Sequence, residues 1–213
     1  MDTEELKEAI KNIIINIQQQ TAERTIPIEA SGRHVHLSKN DIDKLFAKNY
    51  NLTPKRELSQ PGQFLAEEKV KIIGNKGIIE KAAILGPARS RTQIELSKTD
   101  AVKLGIDAPL RFSGDIKNSA SAFIASKNNV IKLEEGVIIA KRHIHMTPED
   151  AERLDVLDGE IVSVEALTER PIIFKDVLIR VNKDYHLNMH IDYDEANACL
   201  FKAGDKGKII KNN

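Results

Sequence analysis

One nine-residue pattern occurs twice in this chain. Arg33-His34-Val35-His36-Leu37-Ser38-Lys39-Asn40-Asp41 aligns with Arg142-His143-Ile144-His145-Met146-Thr147-Pro148-Glu149-Asp150, 109 residues later. Both copies read Arg-His-aliphatic-His-apolar-hydroxyl-x-x-Asp. Each also makes mechanical sense, because the first part is a strand end and Ser38 or Thr147 is a helix N-cap with an acid in the first turn. Pro148 sits at the favoured first helical position. Two matching units this far apart imply duplicated, pseudo-symmetric modules. The 213 residues are therefore read as two small β-domains facing each other, with length enough for a core in each.

The remaining pattern is mostly β. Short Ile- and Val-rich stretches recur at Ile26–Ala30, Val70–Ile73, Ile78–Leu85, Val137–Ala140, Ile161–Val164, Ile172–Phe174 and Val177–Val181. Turn signals such as Gly74-Asn75-Lys76-Gly77 and Leu157-Asp158-Gly159 separate several of them. Many short strands with few helices predict barrels or sandwiches rather than βαβ units. Lys117–Asn129, rich in Ser, Asn and Ala, reads as a surface connection. At the start, Asp2-Thr3-Glu4-Glu5 resembles a capping box, and Leu6, Ile10, Ile13, Ile14 and Ile17 form one apolar stripe. Residues 3–17 are thus expected to be an amphipathic helix, followed by a polar tether over Gln18–Arg24. Such a stripe must dock on its own protein, on an oligomer partner, or helix-in-groove on another protein.

Composition excludes several classes of function. Thirty-two Lys and Arg balance thirty-two Asp and Glu, so no global field draws the chain onto nucleic acid or anionic lipid. Aromatic residues are 4% and Trp is absent, leaving no stacking surface for bases. No apolar run is long enough to span a membrane, and the first residues are acidic, the wrong sign for a secretory or mitochondrial leader. The single Cys199 excludes an intrachain disulfide framework and a thiolate zinc site, and fits a reducing compartment.

Residues i and i+2 of a strand point to one face, so each His-x-His presents two imidazoles side by side, as one metal ion requires. A single such pair is a weak signal. Two pairs with the same flanks, holding four of the six His, are a strong one. Further donors are needed, and His186 and His190 are both candidates by position. Cys199, among small residues in Ala196-Asn197-Ala198-Cys199-Leu200, reads as packing rather than as a nucleophile. The segment Leu85-Gly86-Pro87-Ala88-Arg89-Ser90-Arg91-Thr92-Gln93-Ile94-Glu95 sets two arginines and two hydroxyls after a Gly-Pro turn. It suits either an anion site or a solvated turn ahead of a helix near Ser97.

Taken together, Gly32–Ser38, Leu85–Arg89 with Thr92–Glu95, Lys141–Met146, and Met189–Asp192 with Asp194–Ala198 closely resemble the PduL-type phosphate propanoyltransferases, phosphotransacylases of bacterial microcompartments. The motifs run in the family's order from about residue 25 to the end. The resemblance implies a mainly β fold of two small β-barrels with short capping α-helices. One barrel takes residues 25–32 and 141–213, the other takes 33–140, and the active site lies between them. It also implies two Zn2+ ions per chain, one on His34, His36 and Glu95 with room for the CoA sulfur, the other on His143, His145 and His190. Arg89 matches the phosphate-binding arginine, whereas His186 matches no ligand. Residues 1–24, the amphipathic helix and its tether, resemble the family's N-terminal extension, which directs encapsulated members into the shell.

The implied reaction is reversible transfer of a short acyl group, propanoyl or acetyl, between CoA and inorganic phosphate. Direct transfer is preferred, because no activated Ser or Cys constellation accompanies these residues. The expected setting is the cytoplasm, inside a microcompartment, with shell or cargo proteins met through residues 1–20. A homo-oligomer is expected, and neither nucleic acid nor membrane is a partner. The rival readings are a dinuclear zinc hydrolase and a non-catalytic metal-binding module of a microcompartment.

Overall fold

The computed structural model describes residues 5–8, 10–11 and 24–211. Residues 5–8 and 10–11 are helical, and Leu6 and Ile10 of the expected stripe are exposed. The rest of the 3–17 helix, and the tether up to residue 23, lie outside the described residues. Contacts divide the chain into two units. A terminal unit takes the described residues up to Glu29 together with His143–His190 and those from Cys199 on, and a central unit takes Ala30–Arg142 and Ile191–Ala198.

Strand β1 (Thr25–Ser31) opens the β structure. The central unit continues with β2 (His34–His36), helix α1 (Lys39–Leu45), β3 (Pro54–Glu57), β4 (Phe64–Ile73) and β5 (Ile78–Gly86). After these come β6 (Gln93–Leu96), helix α2 (Lys98–Leu104), β7 (Leu110–Arg111), β8 (Ala120–Ala125) and β9 (Val130–Ala140). Six of these strands close a ring in the order β4-β5-β2-β6-β9-β8, the last pairing again with β4. Strand β3 extends from β4, and β7 from β9. Closure removes the free edges of those six strands, which would otherwise expose unpaired backbone groups. Val35, Leu37, Ile84, Ile94 and Leu104 are at 0% exposure in its aliphatic core.

The terminal unit contributes β10 (His143–Met146), helix α3 (Pro148–Leu154), β11 (Ile161–Leu167), β12 (Ile173–Val181), β13 (Asn188–Asp192) and β14 (Lys206–Ile210). Helix α4 (Tyr193–Ala198) follows β13 and belongs to the central unit. These strands close a second six-stranded barrel, β1-β13-β10-β12-β11-β14. The protein is thus mainly β, with two small barrels and short helices, as expected.

The duplication extends well beyond the nine residues visible in sequence. Strand β2 is parallel to β5 and antiparallel to β6, while β10 is parallel to β12 and antiparallel to β13. Helices α1 and α3 start where the repeat places them. The Ser38 Oγ accepts from the Asp41 N–H at 3.2 Å, and the Thr147 Oγ1 from the Asp150 N–H at 3.1 Å. The repeat's arginines correspond as well. Arg33 donates to both carboxylate oxygens of Asp100 in α2, at 2.8 and 3.0 Å, and Arg142 pairs with Glu195 in α4. Each therefore ties the start of a His-x-His strand to a helix that follows the strand facing it.

Two sequence expectations need correction. Within Lys117–Asn129, residues 120–125 form β8, which completes the central barrel instead of a surface connection. Ala122 and Ile124 face inward while Phe123 is 44% exposed. Alanine contributes too little hydrophobic contrast for that alternation to stand out. Ile173–Phe174 and Val177–Val181 belong to the single strand β12, whose Asp176 adopts φ 54° within it, and Ile172 stands just before it.

Candidate functional site

Alternation along the repeated strands aims the histidines. Val35 and Leu37 enter the core of the central barrel, so His34 and His36 share the opposite face. In the other barrel Ile144 and Met146 are fully buried, and His143 and His145 take the other face. The neighbouring strand supplies a third side chain at the same register in both cases. Glu95 on β6 stands opposite His34, and His190 on β13 stands opposite His143. Two groups result, His34–His36–Glu95 and His143–His145–His190, and within each the ligand atoms lie within 4.8 Å of one another. A four-coordinate zinc with N or O donors at ~2.0–2.2 Å places them ~3.3–3.5 Å apart. Modest side-chain rotations close that difference, so both donor sets fit a metal.

The two groups differ in charge. The Gly32 carbonyl, 2.8 Å from the Nδ1 of His34, can only accept, so the Nδ1–H donates to it and Nε2 faces Glu95 at 3.5 Å. Burial disfavours a charged His34, yet the Glu95 carboxylate outweighs it and raises the imidazole pKa. Burial, then the charges of His34 and Arg89, push His36 down to about 3. Burial would raise Glu95, but His34 and His36 hold its carboxyl well below the usual range. The Glu95 carboxylate thus favours positive charge within this group, and a bound metal would compete with protons for the same donors. The second group consists of three imidazoles. The His143 and His145 rings are 4.6 Å apart, and the Tyr185 ring lies against His145, tilted by 31°, with centroids at 4.1 Å. His190 has its Nδ1 3.8 Å from the Glu29 Oε2, an oxygen that also accepts from the Asn188 amide at 3.2 Å.

Arg89 lies in the turn between β5 and β6. Its backbone N–H donates to the Leu37 carbonyl at 2.9 Å, which anchors the turn one residue past His36. Its guanidinium Nη1 is 3.4 Å from the Ser113 Oγ, whose hydroxyl donates to Glu95 Oε1 at 2.8 Å. The Gln93 amide donates to Glu95 and Ser113 at 2.5 and 3.0 Å. A buried lock holds the same turn from below. The Thr92 hydroxyl donates to Asp41 Oδ2 at 2.6 Å and accepts from the Ser38 N–H at 2.9 Å, joining the cap of α1 to the Arg89 turn.

The central unit therefore brings His34, His36, Glu95 and Arg89 into one neighbourhood, and the terminal unit brings His143, His145 and His190 together. His186 is exposed on the loop before β13 and in neither group. Cys199 is at 0% exposure, and its carbonyl accepts from the Thr168 hydroxyl at 2.7 Å. Sequence reasoning missed Glu29, Ser113 and Tyr185. Ser113 and Tyr185 sit in irregular segments with no periodic signal, and Glu29 is one polar residue of an ordinary strand.

Two small barrels, each presenting a His-x-His strand and a third ligand-type side chain on the next strand, define a class of duplicated β-barrel proteins with a candidate metal centre on each barrel. Comparison with known proteins gives the particular family. The phosphate propanoyltransferase family model matches residues 27–202. A phosphate propanoyltransferase of Alkaliphilus metalliredigens (strain QYMF) is 50% identical over 212 residues, covering 99% of this chain and 100% of that one. The phosphate propanoyltransferase of Listeria monocytogenes EGD-e is 49% identical over 205 residues, 96% of each chain. That of Thermotoga maritima is 49% identical over 187 residues, 87% of this chain and 89% of its own. This chain belongs to the phosphate propanoyltransferase family.

Proposed function

We propose that the protein transfers a propanoyl group between CoA and inorganic phosphate, with acetyl as a second acyl group. The observation that carries this reading is an anion-binding type of side chain, Arg89, in the same hydrogen-bonded set as a buried ligand group of two imidazoles and one carboxylate. A phosphate oxygen attacks the thioester carbonyl carbon, the C–S bond breaks, and the hydrogen phosphate proton goes to the departing thiolate. Acyl phosphate and CoA-SH result, with no covalent protein intermediate. Arg89 holds phosphate through its forked donors and relieves the repulsion between the nucleophile and developing negative charge. His34, His36 and Glu95 would hold one Zn2+, and His143, His145 and His190 the other. Bound zinc supplies Lewis acidity, polarising the thioester carbonyl and stabilising the thiolate. The Gly32 carbonyl keeps the His34 ring turned toward its group, and the Glu29 carboxylate stands at ion-pair range of His190.

The test is metal content measured together with CoA release from a series of short acyl-CoAs, with and without phosphate. A transferase releases CoA only when phosphate is present. Phosphate-independent release would favour the hydrolase, and bound metal with no turnover would favour a binding module.

The lock beneath the Arg89 turn gives a subtler expectation. Thr92→Val removes the hydroxyl that joins Asp41 to the Ser38 N–H, and displaced catalytic geometry is costly. The KM for phosphate is expected to rise about tenfold in Thr92→Val with the KM for acyl-CoA unchanged, and Thr92→Ser should keep the parent KM for phosphate. Steady-state kinetics in the two substrates check it, and an equal rise in both KM values would refute the assignment.

The amphipathic N-terminus completes the proposal as a targeting segment that places the enzyme in a microcompartment. Deleting residues 1–20 is expected to leave turnover intact and abolish co-purification with shell proteins. Unchanged co-purification after the deletion would sink this part alone.

A further inference from the structure

A cavity of about 360 Å³ in the central unit touches both His36 and Arg89. Its other walls come from two Pro-Gly or Gly-Pro turns, Pro61–Gly62–Gln63 between β3 and β4, and Gly86–Pro87 at the end of β5. The first turn is rigid for identifiable reasons. Pro61 precedes Gly62 at φ 73°, and the Gln63 N–H donates back to the Gln60 carbonyl at 3.2 Å, which together make a type II turn. Gln60 is buried, and the Leu58 N–H donates to the Gln63 carbonyl at 3.0 Å, so the lip is pinned on both sides. The second turn is pressed against the start of β4, the strand that follows this lip. A Cβ on Gly86 would lie 2.2 Å from the ring of Phe64, the residue after Gln63.

The chemistry of this lining selects its occupant. Apart from Arg89 it offers no cationic side chain, and the lip presents prolines, glycines and one neutral amide. The diphosphate and 3′-phosphate of CoA need cations or clustered N–H donors, so they do not belong here. Phosphate itself goes to Arg89. What remains is the uncharged acyl group, whose carbonyl must reach the phosphate held by Arg89.

We infer that this cavity is the acyl-chain subsite and that Gln63, the one lip residue with a long side chain, sets the chain length accepted. The inference rests on the transferase reading and deepens it by assigning the specificity-determining wall. Rigidity matters here, because one methylene changes selectivity only about 10–200-fold, and a wall that yields would erase even that.

The experiment compares acetyl-, propanoyl- and butanoyl-CoA with the full chain and three variants. Gln63→Phe is expected to lower kcat/KM for propanoyl-CoA at least tenfold more than for acetyl-CoA. Gln63→Ala is expected to raise butanoyl-CoA relative to propanoyl-CoA about tenfold. Gln63→Leu, close in volume, should keep the parent ratios, and the KM for phosphate should not move in any of them. Equal changes across the three acyl groups, or none, would overturn the subsite while leaving the transferase intact. No phosphate-dependent release by the parent chain would overturn the transferase reading itself.

Discussion

His143→Ala is expected to lower the rate of phosphate-dependent CoA release by at least about a thousandfold, some 4 kcal/mol of lost barrier reduction, and to remove about one metal equivalent per chain. His143 stands in ladder register with His190 and shares a strand face with His145. Its loss leaves two imidazoles, which hold a divalent ion far less firmly than three. The substitution also removes a side chain that is only 9% exposed, so stability must be measured beside activity. A moderate fall in melting temperature with the other metal group still loaded would locate the effect in the site. His186→Ala is the matched control, an imidazole four residues before His190 and outside both groups, and it should behave like the parent. Normal thiol release by His143→Ala would defeat the proposed mechanism.

The part of the duplication that could be read from sequence is the part built from residues with few substitutes. A strand that must present two imidazoles and then start a helix needs His-x-His and a hydroxyl cap, so His34–Ser38 and His143–Thr147 stayed alike. The strands facing them are equivalent too. Gln93-Ile94-Glu95-Leu96 stands to β2 as Asn188-Met189-His190-Ile191 stands to β10, amide opposite the second His and ligand opposite the first. No residue type is shared position by position between the two segments, because an amide, a ligand and a buried aliphatic each have several solutions. The same holds for the acids that receive the repeat's arginines, Asp100 in one case and Glu195 in the other. Register in a folded sheet exposes the equivalence that residue identity conceals. Strand β8 was hidden for a different reason, since Ala120-Ser121-Ala122 carries almost no hydrophobic contrast.

The asymmetry between the copies is as informative as their likeness. Asp150 closes a capping box with Thr147 and turns its other oxygen to Arg153 at 2.9 Å. Asp41 at the matching place receives the Thr92 hydroxyl as well, and so reaches the turn that carries Arg89. The copy that places an arginine beside its ligand group is the copy that braces the turn holding it. A helix cap has thus been extended in one copy into support for the Arg89 turn, a difference laid over modules of the same pattern.

Arg89 is accordingly the residue whose removal should separate phosphate chemistry from metal binding. Arg89→Ala is expected to lower kcat/KM for phosphate by at least about a hundredfold, in keeping with the loss of a preorganised donor aimed at developing charge. Metal content should remain at the parent value, since Arg89 belongs to neither ligand group and the Ser113 hydroxyl stands between its guanidinium and Glu95. The KM for acyl-CoA should change little. Arg89→Lys restores the charge without the planar fork, so it should recover only part of the loss. If Arg89→Ala kept the parent's phosphate dependence, the anion would bind elsewhere. If the variant released CoA at the parent rate with phosphate omitted, water would be the nucleophile and the site a hydrolase. The expected pattern, phosphate affinity lost with both metals retained, belongs only to a transferase in which the guanidinium carries the second substrate.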